Sequence, residues 1–158
     1  MNDFKYRFAS ENDVPLILEF IKELAIYEKM LDTVVATEDL LNDWLFNKKI
    51  AEVIFALEDN KEVGFALFFH NFSTFLGRGG IYLEDLYVKP EYRKKGYGKG
   101  LLKTLAKLTV ERNCGRLEWC CLNWNKPSIE FYESLGAIKM DEWSTFRLSG
   151  ETLKKLTD

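Results

Sequence analysis

A glycine-rich, basic segment is the strongest chemical signal in this 158-residue sequence. The apolar stretch Ile81–Val88 predicts a strand, Pro90 ends its pairing, and Arg93-Lys94-Lys95-Gly96-Tyr97-Gly98 leads into a predicted helix over Gly96–Arg112. Glycines let backbone N–H groups approach a ligand closely, and the N-terminus of a helix adds positive potential. The segment therefore predicts a turn that binds a diphosphate, with four cations close by: Arg93, Lys94, Lys95 and Lys99.

Two common phosphate-binding loops do not match this segment. A Walker loop needs Gly, four residues and then Gly-Lys-Ser/Thr, and the dinucleotide fingerprint needs G-x-G-x-x-G. Both patterns starting at Gly96 require a glycine where the sequence has Leu101. Nucleoside triphosphates and NAD are therefore not supported as ligands. The alternative is a glycine-rich turn whose basic surroundings are incidental.

A second group of polar residues follows a predicted strand over Leu117–Leu122. Asn125 and Ser128 stand where a short helix, predicted over Ser128–Leu135, begins, and their side chains can form hydrogen bonds at the helix entry. Tyr132 lies one residue round from the apolar face of that helix, so it is placed to face a cleft. The alternative is a buried tyrosine whose hydroxyl finds a partner within the protein.

Charge is distributed unevenly along the chain. Nine acidic and two basic residues lie between Glu11 and Asp43, whereas seven basic residues and one acidic residue lie between Lys89 and Lys107. This split indicates one region for an anionic partner and another for a cationic one, the alternative being two solvated helix faces. Because the chain as a whole is acidic, with a net charge of −3, a nucleic acid is not expected as a partner.

Composition excludes several other classes of function. The single histidine, His70, argues against a His-rich metal site and a Ser-His-Asp triad, so no metal is expected. The three cysteines lack zinc-type spacing and predict reduced thiols in a cytoplasmic protein. Since the sequence has no run of about 18 apolar residues, no membrane span is expected. The length fits one domain over residues 1–158.

Hydrophobic periodicity predicts the order β-α-α-β-β-β-α-β-α-β, an α/β arrangement around one sheet. Besides the elements above, we expect strands at Phe4–Phe8, Val53–Leu57, Val63–Phe69, Ala137–Met140 and Phe146–Leu148. Helices are expected from a Ser10 cap to about Met30, from a Thr37 cap through TEDLLNDWLFN, and at Glu151–Leu156. Residues Ser73–Gly80 are expected to form a loop.

Taken in order, these segments resemble the GNAT superfamily of acetyl-CoA-dependent N-acetyltransferases. Arg93–Gly98 matches its R-x-x-G-x-G motif, with Lys94 where the family often has glycine, and WNKPSIEFYESLGA resembles its late Asn…Tyr motif. The segments IKELAIYEKM, TEDLL and YLED bring the resemblance closest to the diamine (spermidine/spermine) and thialysine acetyltransferases. The resemblance spans nearly the whole chain and implies a single GNAT domain over residues 1–158. It also implies a mixed, mostly antiparallel sheet flanked by helices, and a homodimer.

The resemblance further implies a role for individual residues. The backbone of Leu86, Tyr87 and Val88 would pair with the pantetheine of acetyl-CoA, and the N–H groups from Lys94 to Lys99 would hold its pyrophosphate. Asn125 and Ser128 would contact the pantetheine arm, and Tyr132 would lie beside the thioester sulfur. The diamine branch implies acids around the amine and apolar walls for its methylene chain: Glu28, Glu84, Asp85 and Asp141 (or Glu142) as acids, Tyr27 and Trp143 as walls. Glu19, Glu23 and Asp39 are expected to be surface acids.

These residues suit direct transfer of an acetyl group to an amine. An alkylammonium group, with a pKa near ~10.4, must lose a proton before its nitrogen can attack. Glu84 could accept that proton through water, and Tyr132 could donate a proton to the departing thiolate. A backbone N–H of Leu86–Val88 could stabilise negative charge on the carbonyl oxygen. The expected substrate is a small diamine, polyamine or lysine-like amine. The alternatives are a protein or peptide amine, or a CoA-binding module without turnover.

Overall fold

A five-stranded mixed sheet organises the first of two compact units into which the chain divides. The computed structural model describes residues 3–158; the first unit ends at Cys120 and the second comprises Cys121–Asp158. The strands of the sheet lie side by side in chain order: Lys5–Phe8 (β1), Glu52–Glu58 (β2), Lys61–Ser73 (β3), Arg78–Val88 (β4) and Leu117–Trp119 (β5). The first four pair antiparallel and β5 pairs parallel to β4, which confirms the expected α/β fold with a mostly antiparallel sheet.

Within residues 3–158, five α-helices accompany the strands: Val14–Tyr27 (α1), Glu38–Asn42 (α2) and Tyr97–Glu111 (α3) in the first unit, and Lys126–Ser134 (α4) and Gly150–Lys155 (α5) in the second. The Thr37 side chain accepts a hydrogen bond from the N–H of Leu40, as expected of a helix cap. The helix expected to reach Met30 ends at Tyr27 because the backbone turns left-handed at Lys29, where φ is 61°. Each described helix is too short or too polar to cross a bilayer.

The core of the first unit lies on both faces of the sheet. Residues 53–56 of β2 are all buried, which requires cover on each face because neighbouring side chains point in opposite directions. Phe20 of α1 packs on one face, with its ring centroid 5.9 Å from that of Phe55 and 5.1 Å from that of Phe65. Helix α3 also packs on β2, β3 and β4, burying Leu101 and Leu105. The sheet is thus held between helices of the first unit.

Strands β4 and β5 pair along only part of β4. The parallel ladder joins Ile81–Leu83 to Leu117–Trp119 and goes no further. The residues of β4 from Asp85 to Val88 therefore pair with β3 alone within the part of the first unit that the structure describes. Strand β5 ends at Trp119 while β4 continues to Val88, so this edge of β4 is open within the described part of the first unit, next to the glycine-rich segment.

Several predicted elements differ from the structure. Strand β5 ends at Trp119 rather than at the predicted Leu122, so Cys120 and Cys121 lie outside the strand. Half of the predicted 73–80 loop is strand, because β3 runs to Ser73 and β4 begins at Arg78, and only residues 74–77 form the turn between them. In the second unit, the predicted strands at 137–140 and 146–148 do not form, and their apolar side chains Ile138, Met140 and Phe146 are exposed.

Candidate functional site

The open edge of β4 begins at a β-bulge. Leu67 of β3 pairs with Asp85 and Phe68 pairs with Leu83, so Glu84 is an extra residue on β4 without a partner on β3. A bulge redirects side chains and ends regular pairing, and such features are common beside active sites. Here the bulge coincides with the end of β5 pairing at Leu83. The strand therefore changes both its pairing and its side-chain direction at one point.

Backbone groups of Leu86 and Val88 face the open edge. The N–H of Lys89 donates to the carbonyl of Val63 on β3, at 2.9 Å. Because successive residues of a strand direct their backbone groups to alternate edges, Tyr87 faces β3 as well, and Leu86 and Val88 face the other side. The Val88 carbonyl does accept a hydrogen bond there, from Nε of Arg93 at 2.9 Å. This edge can pair with an extended, amide-containing ligand.

The glycine-rich segment forms a turn with two left-handed residues. Lys94 has φ of 64° and Gly96 has φ of 90°, and α3 begins immediately afterwards at Tyr97. The first bond within the helix runs from the N–H of Gly100 to the carbonyl of Gly96, at 2.9 Å. The preceding N–H groups, from Gly96 to Lys99, have no acceptor within the helix. A left-handed turn leading into a helix N-terminus makes an anion-binding concavity, so this donor set fits a diphosphate.

Two of the four predicted cations near this turn are engaged with protein groups. The guanidinium carbon of Arg93 lies 5.0 Å from the ring centroid of Tyr27 and 5.3 Å from that of Tyr87, while its Nε bonds to Val88. Lys95 forms an ion pair with Glu58 at 3.3 Å. Within residues 3–158, Lys94 and Lys99 form no ion pair. They are therefore the cations best placed to meet an incoming anion.

Three of the predicted acids come together in the first unit. Partial burial and the charges of Glu84 and Glu28 raise the pKa of Asp85 to about 7. Burial and the charge of Glu84 also raise the pKa of Glu28 above its ordinary value. Like charges held close together disfavour ionisation, so the cluster is stabilised by a proton or by a cationic ligand. A group that titrates near neutral pH can also accept a proton from an amine.

The prediction that Glu23 is an ordinary surface acid is wrong. Its Oε2 is buried and has no hydrogen-bond partner within residues 3–158. Burial, followed by the Glu23 charge, raises the pKa of Tyr87 on β4. The apolar spacing of α1 gave no sign of this, because Glu23 carries its polar atom into the packing against β4. Glu19, one turn earlier, is exposed as expected and pairs with Lys89 at 3.5 Å.

Two predicted site residues of the second unit, Asn125 and Ser128, lie at the start of α4. Asn125 caps the helix, and its side-chain oxygen accepts a hydrogen bond from the N–H of Ser128, at 3.4 Å. The Asn125 side chain is buried. Tyr132, on the last turns of α4, is half-buried, and its ring centroid lies 5.6 Å from that of Phe131. The helix thus begins where the sequence predicted side-chain hydrogen bonds, two residues earlier than its expected start at Ser128.

The remaining predicted site residues of the second unit are exposed. Trp143 has 77% of its surface exposed, and the neighbouring Asp141 lies 3.5 Å from the ammonium of Lys139. Both belong to the irregular segment between α4 and α5. The roles of Asp141 and Trp143 in binding the amine therefore stay predictions from the resemblance.

Comparisons with known proteins agree with one another. A sequence model of the Acetyltransferase (GNAT) family matches residues 19–137. The chain is 38% identical to thialysine N-epsilon-acetyltransferase of Bos taurus, over 95% of each chain. It is 32% identical to L-ornithine N5-acetyltransferase NATA1 of Arabidopsis thaliana, over 96% of this chain and 87% of that one. The integron cassette protein VCH_CASS6 of V. cholerae has a similar structure, with a TM-score of 0.80 and 30% identity over 98% of this chain and 97% of that one.

Proposed function

Since the chain belongs to the GNAT acetyltransferase family, we propose that it transfers an acetyl group from acetyl-CoA to a primary amine of a small cationic substrate. The acid cluster of Glu28, Glu84 and Asp85 is the observation that carries this proposal. It lies where β4 leaves its pairing with β5, on the strand that leads into the glycine-rich turn. Thialysine and ornithine, the substrates named for two relatives, are both amino acids with a side-chain amine.

Acetyl-CoA supplies the acetyl thioester, and this chain supplies the groups that hold it. The N–H groups from Lys94 to Lys99, including those of Gly96, Tyr97 and Gly98, bind the diphosphate at the N-terminus of α3. The backbone of Leu86 and Val88 pairs with the amides of the pantetheine arm along the open edge of β4. In this proposal Tyr87 faces β3 and contributes to that strand mainly by packing. Asn125 and Ser128, at the start of α4, contact the same arm.

The acids bind and deprotonate the amine. An alkylammonium group has a pKa near ~10.4, so at neutral pH nearly all of it carries a proton that must leave before the nitrogen can attack. Glu28 and Glu84 attract the ammonium group and, in a diamine, a second one. Glu84 was the acceptor expected from the resemblance, and Asp85 joins it because its pKa of about 7 matches a proton acceptor at neutral pH. Tyr27 and Trp143 provide apolar contacts for the methylene chain.

The departing sulfur and the carbonyl oxygen each need a donor. Tyr132 donates a proton to the sulfur, and an N–H of Leu86 or Val88 donates to the carbonyl oxygen as it gains negative charge. The amine nitrogen would bond to the carbonyl carbon while the π electrons move to oxygen, and their return would break the carbon–sulfur bond and release the thiolate, so an acyl-enzyme is not required. The three cysteines of the chain are free thiols and have no role in this scheme.

Organisation and location are part of the same proposal. Residues 1–158 act as one acetyltransferase domain, because the family match at 19–137 continues across the boundary between the two units. The protein works as a homodimer, in line with the exposed apolar side chains of residues 137–148 in the second unit. Free cysteines agree with a reducing, cytoplasmic environment. A diamine or polyamine is included in the substrate class together with lysine-like amines.

An amine panel tests the proposed function. Purified protein is incubated with acetyl-CoA and thialysine, ornithine, lysine, a short diamine or spermidine, and release of the CoA thiol is followed. We expect turnover with at least one of the amines that carry two ammonium groups, and a slower reaction with a monoamine of equal length. Absence of turnover with every amine, from a protein that still binds CoA, would leave only a CoA-binding module and refute the proposal.

A further inference from the structure

Glu58, the last residue of β2, contacts the residues on both sides of Gly96. One carboxylate oxygen, Oε1, accepts a hydrogen bond from the hydroxyl of Tyr97 at 2.7 Å and one from the ammonium of Lys95 at 3.3 Å. Partial burial together with the Glu58 carboxylate raises the pKa of Tyr97 to about 12. The hydroxyl therefore remains a donor at any physiological pH. A single atom thus joins the two neighbours of the left-handed glycine.

The Glu58 carboxylate belongs to a rigid part of the fold. Strand β2 is paired on both sides, with β1 and with β3. Glu58 pairs with Lys61 across a two-residue turn, in which Asp59 and Asn60 have φ of 49° and 64°. These values belong to the type I′ hairpin, whose twist matches that of the strands it joins. Glu58 therefore moves with the sheet rather than with the glycine-rich turn.

The turn itself has little other support near Gly96. A Cβ atom added at Gly96 would meet no atom within 4 Å, so packing does not hold the backbone on that side. Glycine loses more conformational freedom on ordering than any other residue. Lys94 also adopts a left-handed φ, which is unfavourable for a residue with a side chain. Contacts from outside the turn are needed to keep its N–H groups directed to one point.

We infer that Glu58 is a positioning residue that fixes the glycine-rich turn in the conformation that binds the diphosphate of acetyl-CoA. The inference rests on the proposed function and extends it to a residue outside the family motif. Glu58 has two opposite effects on an anionic ligand. Its negative charge opposes binding, whereas its hydrogen bonds reduce the entropy that the turn loses when the ligand binds. The ion pair with Lys95 offsets part of the charge, and we expect the ordering effect to be the larger of the two.

The sign of the effect separates these two contributions. Glu58→Ala removes both hydrogen bonds, and Tyr97→Phe removes the shorter one without a change in charge. We expect each to raise the KM for acetyl-CoA and the Kd for CoA by about five- to tenfold, or about 1.0 to 1.4 kcal/mol, the usual net contribution of one hydrogen bond. For Glu58→Ala the effect should fall on the KM for acetyl-CoA rather than on kcat, because Glu58 contacts the turn and not the reacting atoms. Glu58→Gln, which keeps an acceptor for Tyr97, restores most of the affinity.

Glu62 offers a matched control on the same hairpin. It has a similar exposure and forms an ion pair of 2.7 Å with Arg7, away from the turn. Glu62→Ala should leave the KM for acetyl-CoA unchanged. The double variant Glu58→Ala/Tyr97→Phe should bind CoA no more weakly than Glu58→Ala alone, since the two changes break the same contact.

Calorimetric titration with CoA and steady-state rates, measured on the same preparations, decide the matter. An unchanged or lower Kd for both Glu58→Ala and Tyr97→Phe would overturn the inference, while the proposed function would stand if the wild-type protein still turned over. A wild-type protein that bound no CoA would overturn both. If Glu58→Ala fails to fold, the Tyr97→Phe result alone decides, because that variant keeps every charge.

Discussion

Removal of the Asp85 carboxyl should stabilise the fold at alkaline pH while it impairs catalysis. The pKa of Asp85 rises from 3.8 to about 7 because of burial and the charges of Glu84 and Glu28. Since the folded state binds the Asp85 proton more tightly than the unfolded state, wild-type stability falls as pH rises from about 4 to about 7. Asp85→Asn abolishes this dependence, because an amide does not ionise.

The size of the effect follows from the pKa. Each pKa unit corresponds to about 1.36 kcal/mol, so a rise of roughly three units sets an upper limit of about 4 kcal/mol. Asp85 is mostly buried but keeps some contact with water, which lowers the expected value to about 2 kcal/mol. The free energy of unfolding of Asp85→Asn minus that of the wild type should therefore be about 2 kcal/mol larger at pH 8 than at pH 4.

Urea unfolding followed by fluorescence at several pH values between 4 and 8 measures this difference. Asp13→Asn is a control of opposite sign. Hydrogen bonds from Arg7 hold the pKa of Asp13 at about 2, so its charged form stabilises the fold. That contribution is present above about pH 4 and is lost as pH falls towards 2. If the free energy of unfolding of Asp85→Asn differed from that of the wild type by the same amount at pH 4 and pH 8, burial and the neighbouring acids would not raise the pKa of Asp85 as we describe.

Three further substitutions test other parts of the account. Gly96→Ala places a side chain at φ of 90° and should raise the KM for acetyl-CoA at least fivefold; an unchanged KM would show that the turn does not hold the cofactor. Arg93→Gln removes the cation that contacts the rings of Tyr27 and Tyr87. It should raise the KM for the amine by about two- to fivefold, the size of an exposed cation–π contact. An effect confined to the KM for acetyl-CoA would argue that Arg93 does not position Tyr27 for the amine. Tyr132→Phe should lower kcat by about a hundredfold with little change in either KM, and full activity in steady-state assays would remove Tyr132 from the chemistry.

Much of the first unit could be predicted from residue types and spacing. Thr37, with acids just after it, predicted the start of α2, and the glycines after Val88 predicted the turn before α3. These features depend on neighbours in the sequence, so local pattern is sufficient for them. The buried face of α3, with Leu101 and Leu105, followed from helical periodicity in the same way.

Features that depend on pairing between distant residues were harder to predict. The bulge at Glu84 exists because β3 and β4 differ by one residue across it, and nothing in the YLED segment alone reveals that count. Without the bulge, strict alternation would send Glu84 and Asp85 to opposite faces of the sheet. The early end of β5 at Trp119 likewise had no local signal in the sequence.

Side-chain partners from other elements were also outside the reach of pattern analysis. Glu58 lies at a hairpin and reads as a surface acid, yet it contacts the glycine-rich turn through a residue 39 positions away. Arg93 was expected to face the phosphate, and the fold instead directs it towards Val88 and two tyrosine rings. In each case the residue is visible in the sequence but its contact is not, because the contact depends on how the strands are arranged.

Binding of the diphosphate by the turn at Gly96 is the central claim, and amide chemical shifts test it most directly. Isotope-labelled protein is titrated with CoA, and the backbone N–H resonances of residues 94–99 are followed with those of Leu86 and Val88. We expect the N–H resonances of Gly96, Tyr97, Gly98 and Lys99 to shift most, with smaller changes along the open edge of β4. Shifts concentrated elsewhere in the chain, with these four unmoved at saturation, would contradict it.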